Sequence, residues 1–168
     1  IFEAKGRPTF DPLIVHIADR ADLIHLFTEA ALADPRIKLL ADAFWPGALT
    51  IVAAARPEVP GLVRAGLETV GVRLPRHETA LALIRAAGTP IAAPSANRFG
   101  RLSPTTADHV LEQLDGCIDA VLLGEATEIG VESSVVALDG DGPARLLRHG
   151  SIPLEELARV LADHGGIV

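Results

Sequence analysis

Short apolar runs that end at glycine or proline alternate along this chain with segments whose apolar residues recur at helical spacing. The short runs predict buried strands, and the periodic segments predict amphipathic helices. The predicted strands cover residues 13–17, 49–55, 69–74, 90–93, 120–123, 133–138 and 144–147. Together with the helices between them, they predict an α/β domain built on a twisted, mixed parallel and antiparallel open sheet with flanking helices.

Helix signals separate most of these strands. Apolar spacing predicts helices over 22–31, from about 37 to 44, over 79–87 and over 154–161. Ser103 followed by Pro104 predicts the start of another helix, with Ser103 as its N-cap and a buried stripe at 107, 110, 111 and 114. The loop at 139–143, which is rich in aspartate and glycine, predicts a hairpin between the last two strands.

The composition limits both the core and the partners. The 168 residues suit one domain, and 49% of them are hydrophobic while only 4% are aromatic, so the core must consist of alanine, valine, leucine and isoleucine. A net charge of −7 argues against a general nucleic-acid binder but allows a local basic cleft. The one cysteine, Cys117, suits a reducing cytoplasm, and no apolar run is long enough to span a membrane.

Two segments carry cations beside glycine or proline. Lys5 and Arg7 lie two residues apart on a loop, and cations so placed can hold phosphates or carboxylates. A solvated basic loop is the alternative for that pair. Arg73 lies inside an otherwise apolar strand, where a buried cation needs a partner. An ion pair and an anion-binding site are equally open for Arg73.

Two further loops carry short polar side chains. Ser95 and Asn97 could bind a phosphate or a purine edge, or they could cap the backbone of a turn. Ser133 lies in a glycine-containing segment that could form an anion nest, or it could simply begin a strand. Arg148 adds a cation at the end of the predicted hairpin. His16 is either a core histidine or a substrate contact.

Several familiar catalytic patterns are absent from the sequence. None of the six histidines has metal-ligand spacing, so we expect no metal site held by the protein. The chain also lacks a Walker loop, a Gly-x-Gly-x-x-Gly loop and a Gly-x-Ser-x-Gly elbow. The common routes to phosphate binding and to serine hydrolysis are therefore excluded.

Six short motifs, taken in order, resemble those of one family. They are Lys-Gly-Arg-Pro at 5–8 with the strand that follows, Trp-Pro-Gly-Ala-Leu-Thr at 45–50, Gly-Val-Arg-Leu-Pro at 71–75, Ser-Ala-Asn at 95–97, Glu-Ser-Ser-Val-Val at 132–136 and Leu-Arg-His-Gly at 147–150. In this order they resemble the YrdC/TsaC-like threonylcarbamoyl-AMP synthases over nearly the whole chain, although Ser134 replaces a threonine. The resemblance implies a YrdC-like fold with a large concave cleft.

This resemblance implies an enzyme, a nucleotidyltransferase. It would form L-threonylcarbamoyl-AMP and pyrophosphate from L-threonine, bicarbonate and ATP, with Mg²⁺ carried by the triphosphate rather than by a protein cage. The product would serve threonylcarbamoyladenosine modification of tRNA, so tRNA and the proteins that transfer the group are further expected partners. The reaction needs positioning and charge neutralisation rather than a covalent nucleophile.

The resemblance also implies which residues carry the reaction. It makes Lys5 and Arg7 catalytic residues that hold the phosphates and the carboxylate. The other implied residues bind nucleotide or substrate: Ser95 and Asn97 hold the nucleotide, Ser133 and Arg148 complete the phosphate grip, and His16 and Arg73 contact substrate.

Both ends of the sequence depart from the family pattern. Members usually have several dozen residues before the lysine–arginine motif, whereas this sequence begins at Ile1 and contains no methionine. We therefore expect a single YrdC-like domain over 1–168 that lacks the usual N-terminal segment. Longer members also carry a second domain, and the closing segment 152–157 resembles theirs.

Two alternative functions stay open. A related domain in hydrogenase-maturation carbamoyltransferases uses the same fold to adenylate a carbamoyl group, and dependence on threonine separates that activity from the synthase. A plain RNA-binding module would need no chemistry. The negative net charge and the scarcity of aromatic residues for base stacking weigh against it.

Overall fold

Six strands form one sheet in the computed structural model, which describes residues 1–124, 127 and 130–168. The strands are β1 Ile14–His16, β2 Leu49–Ala54, β3 Thr69–Arg73, β4 Ile91–Ala93, β5 Ser134–Leu138 and β6 Arg145–Arg148. Their order across the sheet is β4-β1-β3-β2-β5-β6. The β1–β3 and β2–β5 pairs are parallel, and the other three pairs are antiparallel. The mixed open sheet that the sequence predicts is therefore confirmed.

Helices connect and flank the strands. They are α1 Phe2–Lys5, α2 Glu29–Leu32, α3 Pro35–Phe44, α4 Glu78–Ala87, α5 Ala107–Leu114 and α6 Leu154–Leu161, with a 3₁₀ helix at Arg20–His25. Local chemistry explains the bounds of the longer ones. Asp34 caps α3 and Pro35 is its first residue, whereas Gly88 ends α4 in the left-handed conformation. None of the described helices is long and apolar enough to cross a membrane.

The two faces of the sheet differ because successive strand residues point to opposite sides. One face holds the core, where Val15, Ile51, Val72 and Val136 are at most 4% exposed. Leucines from three helices belong to the same apolar cluster: Leu40 of α3, Leu81 of α4 and Leu157 of α6. The intervening strand residues face a concave cleft instead, which leaves the second face of the sheet open.

The predicted helix over 22–31 is wrong. A 3₁₀ helix occupies Arg20–His25, and α2 begins separately, because Asp19 and Thr28 each cap their own start. Between the two, Phe27 is fully buried and forms an isolated bridge to the residue that follows β2. The apolar residues at helical spacing therefore belong to two short helices and one bridge residue, not to one continuous helix.

Two predictions around α5 are also wrong. Thr106, not Ser103, is the N-cap of α5, because the Ser103 hydroxyl donates to the carboxylate of Glu132 instead. Only Leu114 of the predicted apolar stripe is buried. Residues 120–123, which the sequence predicts as a strand, belong to none of the six strands of the described sheet.

One arginine fastens α3 to the loop between β5 and β6. The guanidinium of Arg36 donates to both carboxylate oxygens of Asp34 and to the carbonyl oxygens of Gly140 (2.7 Å) and Gly142 (2.5 Å). The Arg36 side chain is only 9% exposed, so water cannot readily replace these contacts. The predicted hairpin is therefore held in place by a side chain from a helix more than a hundred residues earlier.

We expect Arg36→Ala to lower the free energy of unfolding by about 2–4 kcal/mol, because a largely buried carboxylate and two carbonyl oxygens lose their donor. Equilibrium unfolding in urea measures the loss. Lys38→Ala is the matched control, since it removes an exposed partner of Asp42 and should cost less than about 1 kcal/mol. Equal losses in the two variants would contradict the role of Arg36.

Candidate functional site

A cavity of about 580 Å³ lies on the open face of the sheet. Alternate residues of the central strands form its floor: Ile14, Thr50, Val52, Gly71 and Val135. Gly71 keeps this floor low, because a Cβ at that position would come within 3.2 Å of the Thr50 methyl group. The cleft therefore offers a shallow, partly apolar floor on which a flat or extended ligand can lie.

Two arginines occupy one end of the cleft. In the β1–β3 register, Arg73 lies opposite His16, and its Nε donates to the carbonyl oxygen of Gly47 (2.8 Å). Arg148, at the end of β6, donates from Nε to the carbonyl oxygen of Ser133 (3.0 Å) and from Nη2 to the hydroxyl of the same residue (2.9 Å). Because a guanidinium has five N–H donors, both side chains keep donors for a ligand.

Within the described structure these two arginines are not ion-paired, although the positive charge of Arg148 acts on the carboxylate of Glu132, which also lines the cleft. Neither forms a salt bridge with any carboxylate in the part of the chain that the structure describes. Burial, and after it the positive charge of Arg148, lowers the pKa of Arg73. Arg73 is partly buried whereas Arg148 is exposed, so the free-energy cost of the like charges falls mainly on Arg73, and a bound anion would recover it. This end of the cleft therefore favours a ligand with several negative charges.

Gly150 allows the end of β6 to approach β5 closely. A Cβ at Gly150 would lie 2.3 Å from the amide nitrogen of Ser134 and 2.5 Å from the carbonyl oxygen of Glu132. No other residue fits there without moving the backbone. The glycine of the Leu-Arg-His-Gly motif therefore keeps Arg148 within reach of Ser133.

His16 is held in its neutral form. Burial, with a second contribution from the charge of Arg73, lowers its pKa from the usual 6.5 to about 4. Its Nδ1 atom is buried and has no hydrogen-bond partner in the described structure. The imidazole lines the cleft, so it presents a neutral ring to whatever ligand binds there.

Lys5 and Arg7 lie at the other end of the strands. The register pairs Ala93, the last residue of β4, with the first residue of β1, so the loop after β4 leaves the sheet away from Arg73. The Nζ atom of Lys5 donates to the carbonyl oxygens of Ser95 (2.5 Å) and Asn97 in that loop. Burial, and then the charge of Arg7, lowers the pKa of Lys5.

Arg7 lines the cleft but is already partly engaged. It donates from Nη2 to the carbonyl oxygen of Pro12 (2.8 Å), and the same atom lies 3.0 Å from a carboxylate oxygen of Asp11. These contacts hold the loop before β1 against the cleft. The charge of Arg7 is therefore shared with Asp11, unlike the charges of the two arginines at the opposite end.

Asn97 holds its own loop. Its Nδ2 atom donates to the carbonyl oxygens of Arg98 and Arg101 (2.8 Å each), and its Oδ1 atom is buried without a partner in the described structure. These contacts fit the turn-capping alternative of the sequence analysis. Ser95 lines the cleft, whereas Asn97 and Lys5 are not among the residues that line it.

The structure thus brings six of the eight predicted site residues to the cleft: Arg7, His16, Arg73, Ser95, Ser133 and Arg148. Their roles toward a ligand stay predictions. Lys5 and Asn97 contact the loop that carries Ser95. Among the residues that the structure describes, no cluster of three or more histidines, cysteines, aspartates or glutamates could hold a metal ion.

Sequence reasoning missed four polar residues that line the cleft: Asp11, Thr50, Thr69 and Glu132. Thr50 is fully buried in β2 and its hydroxyl lies 2.8 Å from that of Ser133. Glu132 accepts a hydrogen bond from Ser103 (2.6 Å), which is the main reason for its lowered pKa. The signal for Thr50 was available, because a polar residue within the apolar β2 alternates with residues of the core face.

Known proteins resemble this chain in sequence and in structure. The family model Sua5_yciO_yrdC, described as "Telomere recombination", matches residues 1–150. A threonylcarbamoyl-AMP synthase of Bacillus subtilis is 50% identical over 162 residues, which cover 96% of this chain and 46% of that protein. The crystal structure of P. abyssi Sua5 complexed with L-threonine superposes with a TM-score of 0.92 at 47% identity, covering 99% of this chain and 48% of that one.

A more distant likeness concerns the fold alone. Full-length HypF in its phosphate- and nucleotide-bound form superposes with a TM-score of 0.72 at 20% identity, covering 89% of this chain and 23% of that one. The chain spans about half the length of the synthase relatives it matches. The family match nevertheless covers most of the chain and includes all six motifs. The chain belongs to the Sua5/YciO/YrdC family, as the resemblance of its motifs predicts.

Proposed function

We propose that this chain carries the active site of an L-threonylcarbamoyl-AMP synthase. The site would form threonylcarbamoyl-AMP and pyrophosphate from L-threonine, bicarbonate and ATP. The observation that carries the proposal is the pair Arg73 and Arg148, two cations without a salt bridge to a described carboxylate at one end of a cleft. A triphosphate supplies the multiple negative charge that this pair lacks.

The reaction needs no protein nucleophile. The amine of threonine takes up CO2 derived from bicarbonate to give a carbamate. A carbamate oxygen then forms a bond to the α-phosphorus of ATP, while the bond from that phosphorus to the bridging oxygen breaks and pyrophosphate leaves. Charge builds on the phosphate oxygens, so the protein contributes alignment and positive charge.

The arginine end of the cleft suits the phosphates. Arg148, which donates to the Ser133 hydroxyl, would bind the departing pyrophosphate, with Arg73 at the same end of the cleft. Bound phosphates would offset the burial and the repulsion from Arg148 that together lower the pKa of Arg73. The same interaction grows as the leaving group gains charge, which is the condition for accelerating the chemical step.

His16 suits the second substrate. A neutral imidazole can accept a hydrogen bond from the hydroxyl or the amine of threonine, whereas an imidazolium cannot accept one. The imidazole lines the cleft, so a ring nitrogen that faces it can serve as the acceptor, whereas Nδ1 is buried. The P. abyssi relative crystallised with L-threonine supports threonine as the substrate class.

The lysine–arginine end suits the rest of the nucleotide and the carboxylate. Arg7 and Ser95 line the cleft there. Lys5 uses two of its three donors on the loop of Ser95 and Asn97, so one donor remains for a phosphate or a carboxylate. Asn97 would act on the nucleotide through the shape of this loop.

Magnesium would enter with the nucleotide. The described residues contain no cluster of acidic or histidine ligands for an all-protein site, and one acid of the cleft, Asp11, is engaged by Arg7. When bound, the ion would neutralise phosphate charge. The proposal extends to tRNA modification only through the product, which downstream proteins would transfer to tRNA.

The full-length protein should release pyrophosphate from ATP only when both threonine and bicarbonate are present. Arg148→Ala and Arg73→Ala should each reduce the rate by about 10²-fold or more, because a charge-assisted contact to the leaving group is lost. Arg159→Ala, on the exposed side of α6, is the matched control and should leave the rate unchanged. A coupled assay for pyrophosphate measures all of these rates.

Two outcomes would overturn the proposal, one in this assay and one in a salt-titrated RNA-binding assay. Pyrophosphate release that requires carbamoyl phosphate and ignores threonine would favour the hydrogenase-maturation type of carbamoyl adenylation. RNA binding with a steep salt dependence and without ATP binding would favour a plain RNA-binding module.

His16 should titrate near pH 4 in the folded protein, which an NMR titration of its imidazole resonances measures directly. Since the folded pKa is below the unfolded value, the unfolded chain binds the proton first, and stability falls as pH drops from about 6.5 to 4. His16→Gln should remove up to about 3 kcal/mol of that fall. A folded-state pKa near 6.5 would contradict the burial of this ring.

A further inference from the structure

The segment 45–50, Trp-Pro-Gly-Ala-Leu-Thr, has no role in the function proposed above. It nevertheless contacts Arg73 directly and Arg148 through Ser133. The carbonyl oxygen of Gly47 accepts from Arg73 Nε at 2.8 Å. At the end of the segment, the Thr50 hydroxyl lies 2.8 Å from the hydroxyl of Ser133, which in turn accepts from Arg148 Nη2 at 2.9 Å. One short stretch of chain therefore supports both halves of the cationic pair.

The contact between Thr50 and Ser133 is buried. Thr50 is 0% exposed and Ser133 is 2% exposed, so each hydroxyl depends on a protein partner rather than on bulk water. Because Arg148 acts as the donor to the Ser133 oxygen, the proton of Ser133 remains available to Thr50. Thr50 thereby holds the Ser133 side chain in the orientation that receives Arg148.

The segment itself is anchored on two sides. The Trp45 indole nitrogen donates to the carbonyl oxygen of Leu49 (2.7 Å), and the Gly47 amide donates to that of Leu74 (2.9 Å). On the β5 side, the Ser134 amide donates to the carbonyl oxygen of Ala48 (3.0 Å). A Cβ at position 47 would lie 2.3 Å from the carbonyl oxygen of Phe44, so only glycine fits at this position without a backbone shift.

We propose that Thr50 is a positioning residue: through Ser133 it fixes the guanidinium of Arg148 beside that of Arg73, so that a diphosphate group meets a preformed pair of cations. This inference rests on the proposed function for its ligand, a polyphosphate. It assigns to the Trp-Pro-Gly-Ala-Leu-Thr motif the task of setting the distance and direction of two charges that repel each other. Without that support, only the carbonyl oxygen of Ser133 would remain to hold the Arg148 guanidinium.

Thr50→Val separates this role from packing. Valine keeps the shape of threonine and replaces only the hydroxyl, with a methyl group. Thr50→Ser is the complementary variant, because it keeps the hydroxyl and removes the methyl group. A packing role predicts that Val is harmless and Ser is not, whereas the positioning role predicts the reverse.

A double-mutant cycle on the full-length protein tests the proposal, with inorganic pyrophosphate as the probe and calorimetric binding as the readout. Thr50→Val should weaken pyrophosphate binding by about 5- to 20-fold when Arg148 is present, and by less than about 2-fold in the Arg148→Ala background. Thr50→Ser should bind pyrophosphate like the wild type. Ser133→Ala, run through the same cycle, should reproduce the result and serves if Thr50→Val does not fold.

Three results would overturn the inference. They are equal losses in both backgrounds, an unchanged affinity in Thr50→Val, and a wild-type protein that does not bind pyrophosphate. The binding assay contains no threonine, so it stands apart from the proposed reaction. A protein with the expected coupling but without threonine-dependent pyrophosphate release would keep the positioning role and lose the synthase function.

Discussion

The rest of the structure depends on the alternation of side chains across one mixed sheet. Ile51 and Val72 point into a closed apolar core, while their neighbours Thr50, Gly71 and Arg73 point into the cleft. The same hydrogen-bonded ladder therefore builds the most rigid part of the molecule and the floor of its site. Strands carry His16, Arg73 and Arg148, which limits their freedom to relax, whereas loops carry Arg7 and Ser95.

Electrostatics explains why an acidic chain can hold a cationic site. The chain carries a net charge of −7, yet its exposed cations Arg20 and Lys38 share the carboxylate of Asp42, and Arg145 pairs with Asp139. The two arginines of the cleft are left without such partners among the described residues. Within the cleft, three arginines outnumber two acids, Asp11 and Glu132, so the local charge is positive although the whole chain is acidic.

Much of the fold followed from the sequence because apolar runs bounded by glycine and proline have few alternatives. The predicted strands at 49–55 and 69–74 match β2 and β3 to within one residue. Reasoning failed where a polar side chain had two possible partners. Thr28 begins a new helix within an apparent one, and Ser103 bonds Glu132 instead of capping α5. Such choices depend on residues far away in sequence.

Six of the eight residues predicted for the candidate site line the cleft, and their roles toward a ligand stay predictions. Motif order brought Arg7, Arg73 and Arg148 to one cleft, as the structure has them. No sequence pattern indicated that the ammonium of Lys5 would donate to two carbonyl oxygens. None indicated that the Thr50 hydroxyl would contact the serine that accepts a hydrogen bond from Arg148. These facts follow from three-dimensional neighbours, since a residue's type says what it can bond but not what lies beside it.

The arginines without an ion-pair partner among the described residues have a consequence for how affinity is measured. Phosphate, sulfate or other buffer anions that bind the same arginines would compete with the proposed nucleotide. The apparent dissociation constant of the nucleotide would then rise linearly with the concentration of the competing anion. The affinity of this protein for its ligand is therefore a property of the protein and the buffer together, and comparison between preparations requires the same anions at the same concentrations.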